Sequence, residues 1–464
     1  MRESTFMTLG IVLLATTAAQ AQWKPPSTIP KADLVASSKR VLARPAIPII
    51  VREDIFRIRT LEMDWDIGAA VYEPKETSRI AVGPDGRRIG VFILHGGYGD
   101  HRDKDDMSRL LAEKFGYKVV SMSYPGRLYL HHPSRDWPGL PLEPDGRVRM
   151  PIWNKDVPIT DDQYTVVEDT SQAKRYGKMT LACAKERTEF YDRMAAWPVA
   201  LEEGGKDLMR RHFPESEYSV YVHGHSTGGP FAFILSQRAA NVDGVLAIEN
   251  TPFGYIYQKM IKNDLGGTPF NCLRILTWHA TARYAGPEAL ALEGPQALMR
   301  LPSLMDEVME NWKKASTAPY FKAEYTVHHN GVASLREAAR ATSARLKLGP
   351  AAGERTMAEY VGYTRELSGP GVKPVPTVLF TLTKNSHDHT PKVYEEIVLP
   401  AFRAMKPAPR ADLVKLGAGL HGYTTAEAQL PMGVLPAVAQ MWDDAIKAGH
   451  FKPERSPGSR DVRP

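Results

Sequence analysis

One turn constrains the fold of this chain more than any other stretch. It is the Gly-x-Ser-x-Gly segment from Gly224 to Gly228, preceded by the apolar, β-rich run 218–222 and followed by the helix-compatible run 231–240. Glycines on both sides of Ser226 leave room for a tight backbone, so a serine between a strand and a helix can project from the end of a sheet. The same spacing also occurs in ordinary glycine-rich turns, so its meaning depends on the rest of the chain.

The segments around this turn predict a parallel sheet covered by helices. The run 89–94 is continuously apolar, as a central parallel strand buried on both faces is. Strands and helices then alternate along the chain, which indicates an α/β protein with helices on both faces of the sheet. We expect strands at 54–64, 67–72, 89–94, 118–124, 218–222, 242–248, 377–382 and 412–416, and helices at 107–115, 195–212, 231–240, 391–405 and 433–448.

Two long stretches interrupt this alternation. Residues 127–188 are rich in Pro, Asp, Tyr and Trp, and we interpret them as an excursion from the sheet. Residues 253–374 have a mainly helical pattern and lie where a cap or lid would be inserted over one edge of a sheet. The sheet core then consists of residues 54–252, which include the excursion, and residues 375–448.

The two ends of the chain predict segments outside this core. Residues 1–21 have the pattern of a secretory signal peptide, with an apolar run, Leu9 to Ala15, that is too short to span a bilayer. Cleavage after Ala21 predicts a mature protein in the periplasm or outside the cell, and an uncleaved anchor is the alternative. Residues 22–53 are Pro-rich and predict an extended arm, and residues 449–464 predict a flexible basic tail.

Charge and cysteine content narrow the possible partners. The net charge is +6 with a pI near 9.0, but the sequence has no basic block with interleaved aromatic residues, so we expect no nucleic-acid partner. No further apolar run predicts a membrane span, and no oligomeric state is implied. The two cysteines, Cys183 and Cys272, could form one disulfide in an oxidising compartment or remain as two free buried thiols.

No metal or cofactor is expected from the sequence. The cysteines lack the spacing of a metal site. The polar stretch 100–103 and the histidine doublets 131–132 and 328–329 lack a supporting spacing of ligands, so we interpret them as solvated loops.

The Gly-x-Ser-x-Gly turn gains meaning from a histidine near the end of the chain. A serine hydroxyl is a poor nucleophile near neutral pH, and it needs a base that is itself oriented by a carboxylate. In chain order the histidine should follow the last strand. Of the 14 histidines, His421 alone has this position, between glycines after the predicted strand 412–416. We therefore predict Ser226 as nucleophile and His421 as base.

Two backbone N–H groups are needed to stabilise an oxyanion. The residue after the serine, Thr227, is the first candidate. The second should come from the loop after strand 89–94, where His95-Gly96-Gly97 stands. Gly97 is the preferred donor and Tyr98 the next, because glycine allows a substrate to approach the backbone closely.

These three segments, 95–97, 224–228 and 420–423, resemble in order and context those of the α/β-hydrolase superfamily, over essentially all of residues 54–448. The resemblance implies an eight-stranded, mostly parallel sheet with helices on both faces. It also implies serine-type acyl transfer, in which Ser226 attacks and His421 carries the proton.

The carboxylate partner of His421 has two candidates. The more common position in the superfamily, the loop after the seventh strand, corresponds to Asp388. The other, after the sixth strand, corresponds to Glu249, which follows the apolar run 245–248 and would be costly to bury without a partner such as a histidine. The chain also resembles, loosely, secreted bacterial esterases with a glutamate after this strand. We favour Glu249 and keep Asp388 as the alternative.

These residues predict a secreted serine hydrolase that cleaves a carboxylic ester of a small or medium substrate. The predicted cap and excursion favour a covered pocket over an open, lipid-facing groove. A peptidase or amidase of the same fold is the alternative enzyme. A binding protein without activity on the same scaffold is the alternative of a different class.

Overall fold

The computed structural model describes residues 23–60, 63–96, 106–126, 128, 150, 152–169, 179–185, 188–225, 228–249, 272–275, 373–386, 391, 393–403, 407–423, 425 and 427–452. Its strands are β1 Thr28–Ile29, β2 Ile49–Thr60, β3 Met63–Pro74, β4 Arg88–Leu94, β5 Lys118–Met122, β6 Tyr164–Asp169, β7 Met179–Ala184, β8 Tyr218–His225, β9 Val242–Ile248, β10 Cys272–Ile275, β11 Thr377–Leu382, β12 Ala411–Leu416 and β13 Pro431–Val434.

The α-helices are α1 Lys31–Leu42, α2 Asp106–Phe115, α3 Glu189–His212, α4 Gly229–Arg238, α5 Leu399–Arg403 and α6 Leu435–Lys447. A π-helical turn, Val393–Val398, leads into α5, and single 3-10 turns occur at Thr77–Arg79, Asp161–Gln163 and His421–Tyr423.

One large sheet organises the described chain. Its nine strands have the order β1-β12-β11-β9-β8-β4-β5-β3-β2. From β1 to β5 all neighbours are parallel, whereas β3 is antiparallel to both β5 and β2. This mostly parallel sheet, with strands alternating with helices along the chain, confirms the predicted fold class. There is one strand more than predicted, because the two residues of β1 pair with β12 at the edge of the sheet.

The sheet buries both of its faces. Along β4, Val91 and Ile93 belong to one core cluster, together with side chains of α1, α2 and α6. Phe92 and Leu94 belong to the other cluster, with side chains of α3, α4 and α5. Since successive side chains of a strand point to opposite faces, a continuously apolar run such as β4 fits a central position with a helical layer on each side.

The predicted extended arm, 22–53, is wrong over much of its length. Residues 31–42 form α1, which packs against α6, and β2 already begins at Ile49. Leu34, Ser38 and Val41 are the buried residues of α1, and their spacing is that of one helical face. The prolines that suggested an extended arm flank this helix and do not interrupt it.

The predicted tail, 449–464, begins too early. His450 and Phe451 are buried, and the ring of Phe451 lies 5.1 Å from that of Tyr221. Gly244 makes this possible, because a Cβ there would be 2.8 Å from Cε1 of Phe451. Residues 453–464 lie outside the described residues.

A second, three-stranded antiparallel sheet, β10-β7-β6, connects the two predicted insertions. Strands β6 and β7 belong to the excursion, and β10 belongs to the predicted cap. Cys183 of β7 is disulfide-bonded, and Cys272, its partner in the strand register, is the chain's other cysteine. The disulfide therefore joins segments that the sequence alone treats as separate. Apart from β10 and residues 373–374, the predicted cap lies outside the described residues, and its helical character stays a prediction.

Within the part of the chain that the structure describes, no helix combines the length and apolar character that crossing a membrane requires.

We expect the disulfide to contribute measurably to stability. Replacing both cysteines, by Cys183→Ser and Cys272→Ser together, should lower the free energy of unfolding by about 4 kcal/mol, because the bond closes a loop of roughly 90 residues in the unfolded chain. Urea unfolding of the parent and the double variant measures this. The parent in dithiothreitol should behave like the variant. Equal stability of all three samples would contradict the expectation.

Candidate active site

Four parallel strands end at the same edge of the sheet and bring a group of polar side chains together. His225 is the last residue of β8, Glu249 directly follows β9, Thr383 directly follows β11, and His421 lies in the turn after β12. The carboxyl ends of parallel strands are the usual place for a site in an open α/β sheet. These residues are far apart in the sequence, and they become neighbours because their strands pair in one sheet.

Glu249 is the centre of this group. Its side chain is fully buried. Oε2 lies 2.6 Å from Nδ1 of His421 and accepts a hydrogen bond of 3.0 Å from the backbone N–H of Gly422. Oε1 accepts hydrogen bonds from the backbone N–H of Thr383, at 3.1 Å, and from the hydroxyl of Thr383. Both carboxylate oxygens are therefore hydrogen-bonded, as a buried charge requires.

These contacts determine the protonation state of Glu249. Burial by itself raises the pKa of Glu249, but the electrostatic attraction of His421 and the hydrogen bonds from His421 and Thr383 outweigh it and lower the pKa to about 2. Glu249 is therefore an anion near neutral pH and can only accept hydrogen bonds. Nδ1 of His421 must then donate, so in the neutral ring the lone pair that can accept a proton is on Nε2.

The backbone of Glu249 is in an unusual conformation. Its φ of 47° is in the left-handed region, which costs a residue with a side chain about 1–2 kcal/mol. A hydrogen bond of 3.1 Å from the N–H of Glu249 to the carbonyl of Thr381 on β11 holds this conformation. The side chain can thereby turn across the end of β11 toward His421.

Tyr423 holds the turn that contains His421 in place. Tyr423 also has a positive φ, 72°, and its hydroxyl donates a hydrogen bond of 2.7 Å to Nε2 of His223. Nδ1 of His223 donates in turn to the carbonyl of Leu246, at 2.8 Å. This buried series of hydrogen bonds connects the His421 turn to β8 and β9, the strands that precede Ser226 and Glu249.

His225 lies against the same turn. Its ring centroid is 5.0 Å from that of His421 and 5.5 Å from that of Tyr423. A Cβ on Gly422 would lie 3.2 Å from Cε1 of His225, and the φ of Gly422 is 80°. Glycine at 422 therefore serves both the backbone conformation and the close approach of the His225 ring.

The glycines of the Gly-x-Ser-x-Gly turn are required by packing. A Cβ on Gly228 would lie 2.8 Å from the carbonyl oxygen of His95, and one on Gly224 would lie 2.8 Å from the Cβ of Ala232 in α4. Gly228 thus lies against the end of β4, and Gly224 lies against α4. Ser226 and Thr227 lie outside the described residues.

The loop after β4 begins in a fixed position. Nε2 of His95 lies 2.5 Å from the hydroxyl of Ser121 on β5, and the hydroxyl of Tyr124 donates to the carbonyl of His95. Gly97, the predicted oxyanion donor, and Tyr98 lie outside the described residues.

Of the predicted site residues, the structure brings Glu249 and His421 together, while Ser226, Thr227, Gly97 and the alternative acid Asp388 lie outside the described residues. Sequence reasoning missed the supporting residues Thr383, Tyr423 and His223. Tyr423 could have been noticed, since it adjoins His421 in the turn after the last strand. Thr383 gives no sequence signal, because its role depends on the pairing of β11 with β9.

Among the described residues, His225, Glu249 and His421 form a group of potential metal ligands, with ligand atoms within 4.8 Å of one another. This group was not expected from the sequence, because its members come from three different strand ends.

No protein-family model matches the sequence, and a search of curated proteins found no match. Solved structures give remote likenesses. Pyrococcus horikoshii acylaminoacyl peptidase is 11% identical over 91% of this chain with a TM-score of 0.35, and this chain spans only 44% of its length.

Two esterases are similarly remote. Acetyl xylan esterase 1 from Thermoanaerobacterium sp. is 13% identical, with 89% of this chain and 96% of that chain covered and a TM-score of 0.31. A fungal esterase from Rhizomucor miehei is 12% identical, with 92% and 94% covered and a TM-score of 0.32.

At these identities and TM-scores the likenesses carry no functional weight, so the class is defined by the chain's own topology. A mostly parallel sheet, with β8 leading through the Gly-x-Ser-x-Gly turn into α4 and a histidine after β12, is the α/β-hydrolase fold.

Because its pKa is lowered by folding, Glu249 should stabilise the protein above pH 4.5, the ordinary value for a glutamate, and this stability should be lost as the pH falls toward about 2. The difference in unfolding free energy between the parent and the Glu249→Gln variant should therefore shrink between pH 5 and pH 3. Urea unfolding at a series of pH values measures it. A difference that stays constant over this range would contradict the expectation.

Proposed function

We propose that the protein is a serine hydrolase that cleaves carboxylic esters through an acyl-enzyme on Ser226. The observation that carries the proposal is the buried contact of 2.6 Å between Glu249 and Nδ1 of His421. It supplies an oriented base at the sheet edge where β8 ends, one residue before Ser226 in the chain. Such a base is what a serine hydroxyl needs to become a nucleophile.

In the proposed reaction, Oγ of Ser226 attacks the ester carbonyl and its proton passes to Nε2 of His421. Glu249 stabilises the imidazolium that forms, without itself taking the proton. The N–H groups of Thr227 and Gly97 bind the oxyanion. The alcohol then leaves with the proton from His421, and a water molecule, deprotonated by the same nitrogen, releases the carboxylic acid and restores Ser226.

The geometry around Glu249 favours it over Asp388 as the acid of this triad. Four donors, from His421, Gly422 and Thr383, converge on its two oxygens. Burying the charge of Glu249 and straining its backbone both cost free energy. A carboxylate with no function at a strand end would not need to be buried or strained. A role in orienting His421 accounts for both.

We further propose that the protein acts in the periplasm or outside the cell. The pattern of residues 1–21 and the disulfide at Cys183 support this, because disulfides form and persist mainly in oxidising compartments. The predicted cap over the sheet edge supports a small or medium ester. An amide substrate is the alternative, which matched esters and amides would distinguish.

The nucleophile can be tested directly. Ser226→Ala should lower kcat for short-chain p-nitrophenyl esters by at least about 10⁴-fold and abolish labelling by a fluorophosphonate probe, with the circular dichroism spectrum unchanged. Ser236→Ala is a matched control, because Ser236 lies in the adjoining helix α4 and its hydroxyl donates to the carbonyl of Phe233 in the same helix. Turnover retained in Ser226→Ala, or a parent enzyme that neither reacts with the probe nor cleaves any ester or amide, would overturn the proposal.

The acid can be tested by a pair of variants. Glu249→Gln should lower kcat by roughly 10³–10⁴-fold, because the amide can no longer hold His421 in the required tautomer. Asp388→Asn should change kcat by less than about tenfold, on the scale of effects away from the catalytic group. Steady-state kinetics on one ester measures both. The reverse order of the two effects would assign the acid to Asp388.

A further inference from the structure

His225 has a feature that the proposed reaction does not use. Its Nε2 is buried, and among the described residues it has no hydrogen-bond partner. Buried side-chain nitrogens nearly always have a partner, and an exception calls for a reason such as a bound ion. Gly422 and the rings of His421 and Tyr423 lie next to this ring.

Two groups beside His225 could share an ion with it. One ring nitrogen of His225, a carboxylate oxygen of Glu249 and one ring nitrogen of His421 all lie within 4.8 Å of one another. Two imidazole nitrogens and one carboxylate oxygen form a ligand set that zinc uses in proteins with three protein ligands and one open position.

We propose that His225, Glu249 and His421 bind a divalent transition-metal ion, with zinc as the best match, and that this ion reversibly switches off the Glu249–His421 pair. The proposed metal site is argued from the positions of these three residues alone. The proposed inhibition also rests on the proposed function.

The distances suit an ion after small movements. Zinc bonds of about 2.0–2.2 Å in a tetrahedral site place ligand atoms about 3.3–3.5 Å apart. The contact of 2.6 Å between Glu249 and His421 would open, and the wider separations, up to 4.8 Å, would close. Glu249 is held by Gly422 and Thr383, so shifts of about 1 Å would fall on the two histidine rings.

The charges also suit a cation. Glu249 is ionised. A neutral imidazole offers the electron pair that a metal requires.

Loss of activity would follow from the position of one proton. In the metal-free site Nδ1 of His421 carries the proton that faces Glu249, and Nε2 carries the lone pair that accepts the proton of the serine. The metal takes the place of the proton on Nδ1. The neutral ring then carries its one proton on Nε2, after exchange with solvent. A protonated Nε2 cannot act as the base, so acylation stops.

Metal binding is tested without activity on the Ser226→Ala protein. Calorimetric titration with zinc chloride should show one site, and cobalt chloride should give the visible absorption bands of a tetrahedral site. Adding His225→Phe, which keeps an aromatic ring and removes the nitrogens, should weaken zinc binding by at least about tenfold, the lower end of what loss of a metal-site partner costs. His225→Asn serves as a second variant if the phenylalanine variant does not fold.

His212→Gln is the matched control, because His212 is a buried histidine paired with Asp54 at 2.7 Å, outside this group. It should bind zinc like its parent. The proposed metal site would be wrong if the Ser226→Ala protein bound no zinc, or if His225→Phe and His225→Asn both left its zinc affinity unchanged.

Inhibition is tested on the active enzyme. Zinc should lower kcat for ester hydrolysis, a chelator should restore it, and magnesium, which prefers oxygen ligands, should have no effect. If zinc binding depends on His225 but kcat is unchanged, the proposed inhibition is wrong and the proposed metal site stands. If the protein hydrolyses no ester at all, the proposed function fails, while the calorimetric result on the site still stands.

Discussion

The buried carboxylate of Glu249 is the constraint on which the rest of the site depends. Moving such a charge out of water costs several kcal/mol unless partners replace its hydration. Its partners come from different places in the chain, Thr383 after β11 and His421 with Gly422 after β12. The cost is therefore offset only when β9, β11 and β12 are paired in their observed register, so the sheet and the site are assembled by the same pairing.

The same site concentrates the unusual backbone conformations of the described chain. Glu249 and Tyr423 are the described non-glycine residues with positive φ, and each is held by hydrogen bonds to a neighbouring strand. Each such conformation costs about 1–3 kcal/mol and persists only where the surrounding folded structure holds the residue in place. Glycine is favoured at 422 by its positive φ and by the close approach of His225, and it is needed at 228 because the end of β4 leaves no room for a side chain.

Local sequence patterns predicted the strands well. They did not predict the elements whose formation depends on contacts between residues far apart in the sequence. The apolar runs of β4 and β9 could be recognised because burial on both faces demands apolar side chains. Helix α1 was missed, since its flanking prolines concealed a single buried face of Leu34, Ser38 and Val41. The sheet β10-β7-β6 could not be predicted, because its pairing joins segments far apart in the chain.

The sequence by itself determined the parallel sheet, the place of the Gly-x-Ser-x-Gly turn after β8 and the position of His421 after the last strand, because these depend on local periodicity and chain order. It narrowed the partner of His421 to two carboxylates. Only the tertiary structure placed Glu249 at Nδ1 of His421, decided that Cys183 is disulfide-bonded, and brought to the same edge a nitrogen of His225 that has no hydrogen-bond partner among the described residues. The physical reason is that strand pairing, which spacing along the chain does not encode, sets the distances between the ends of different strands.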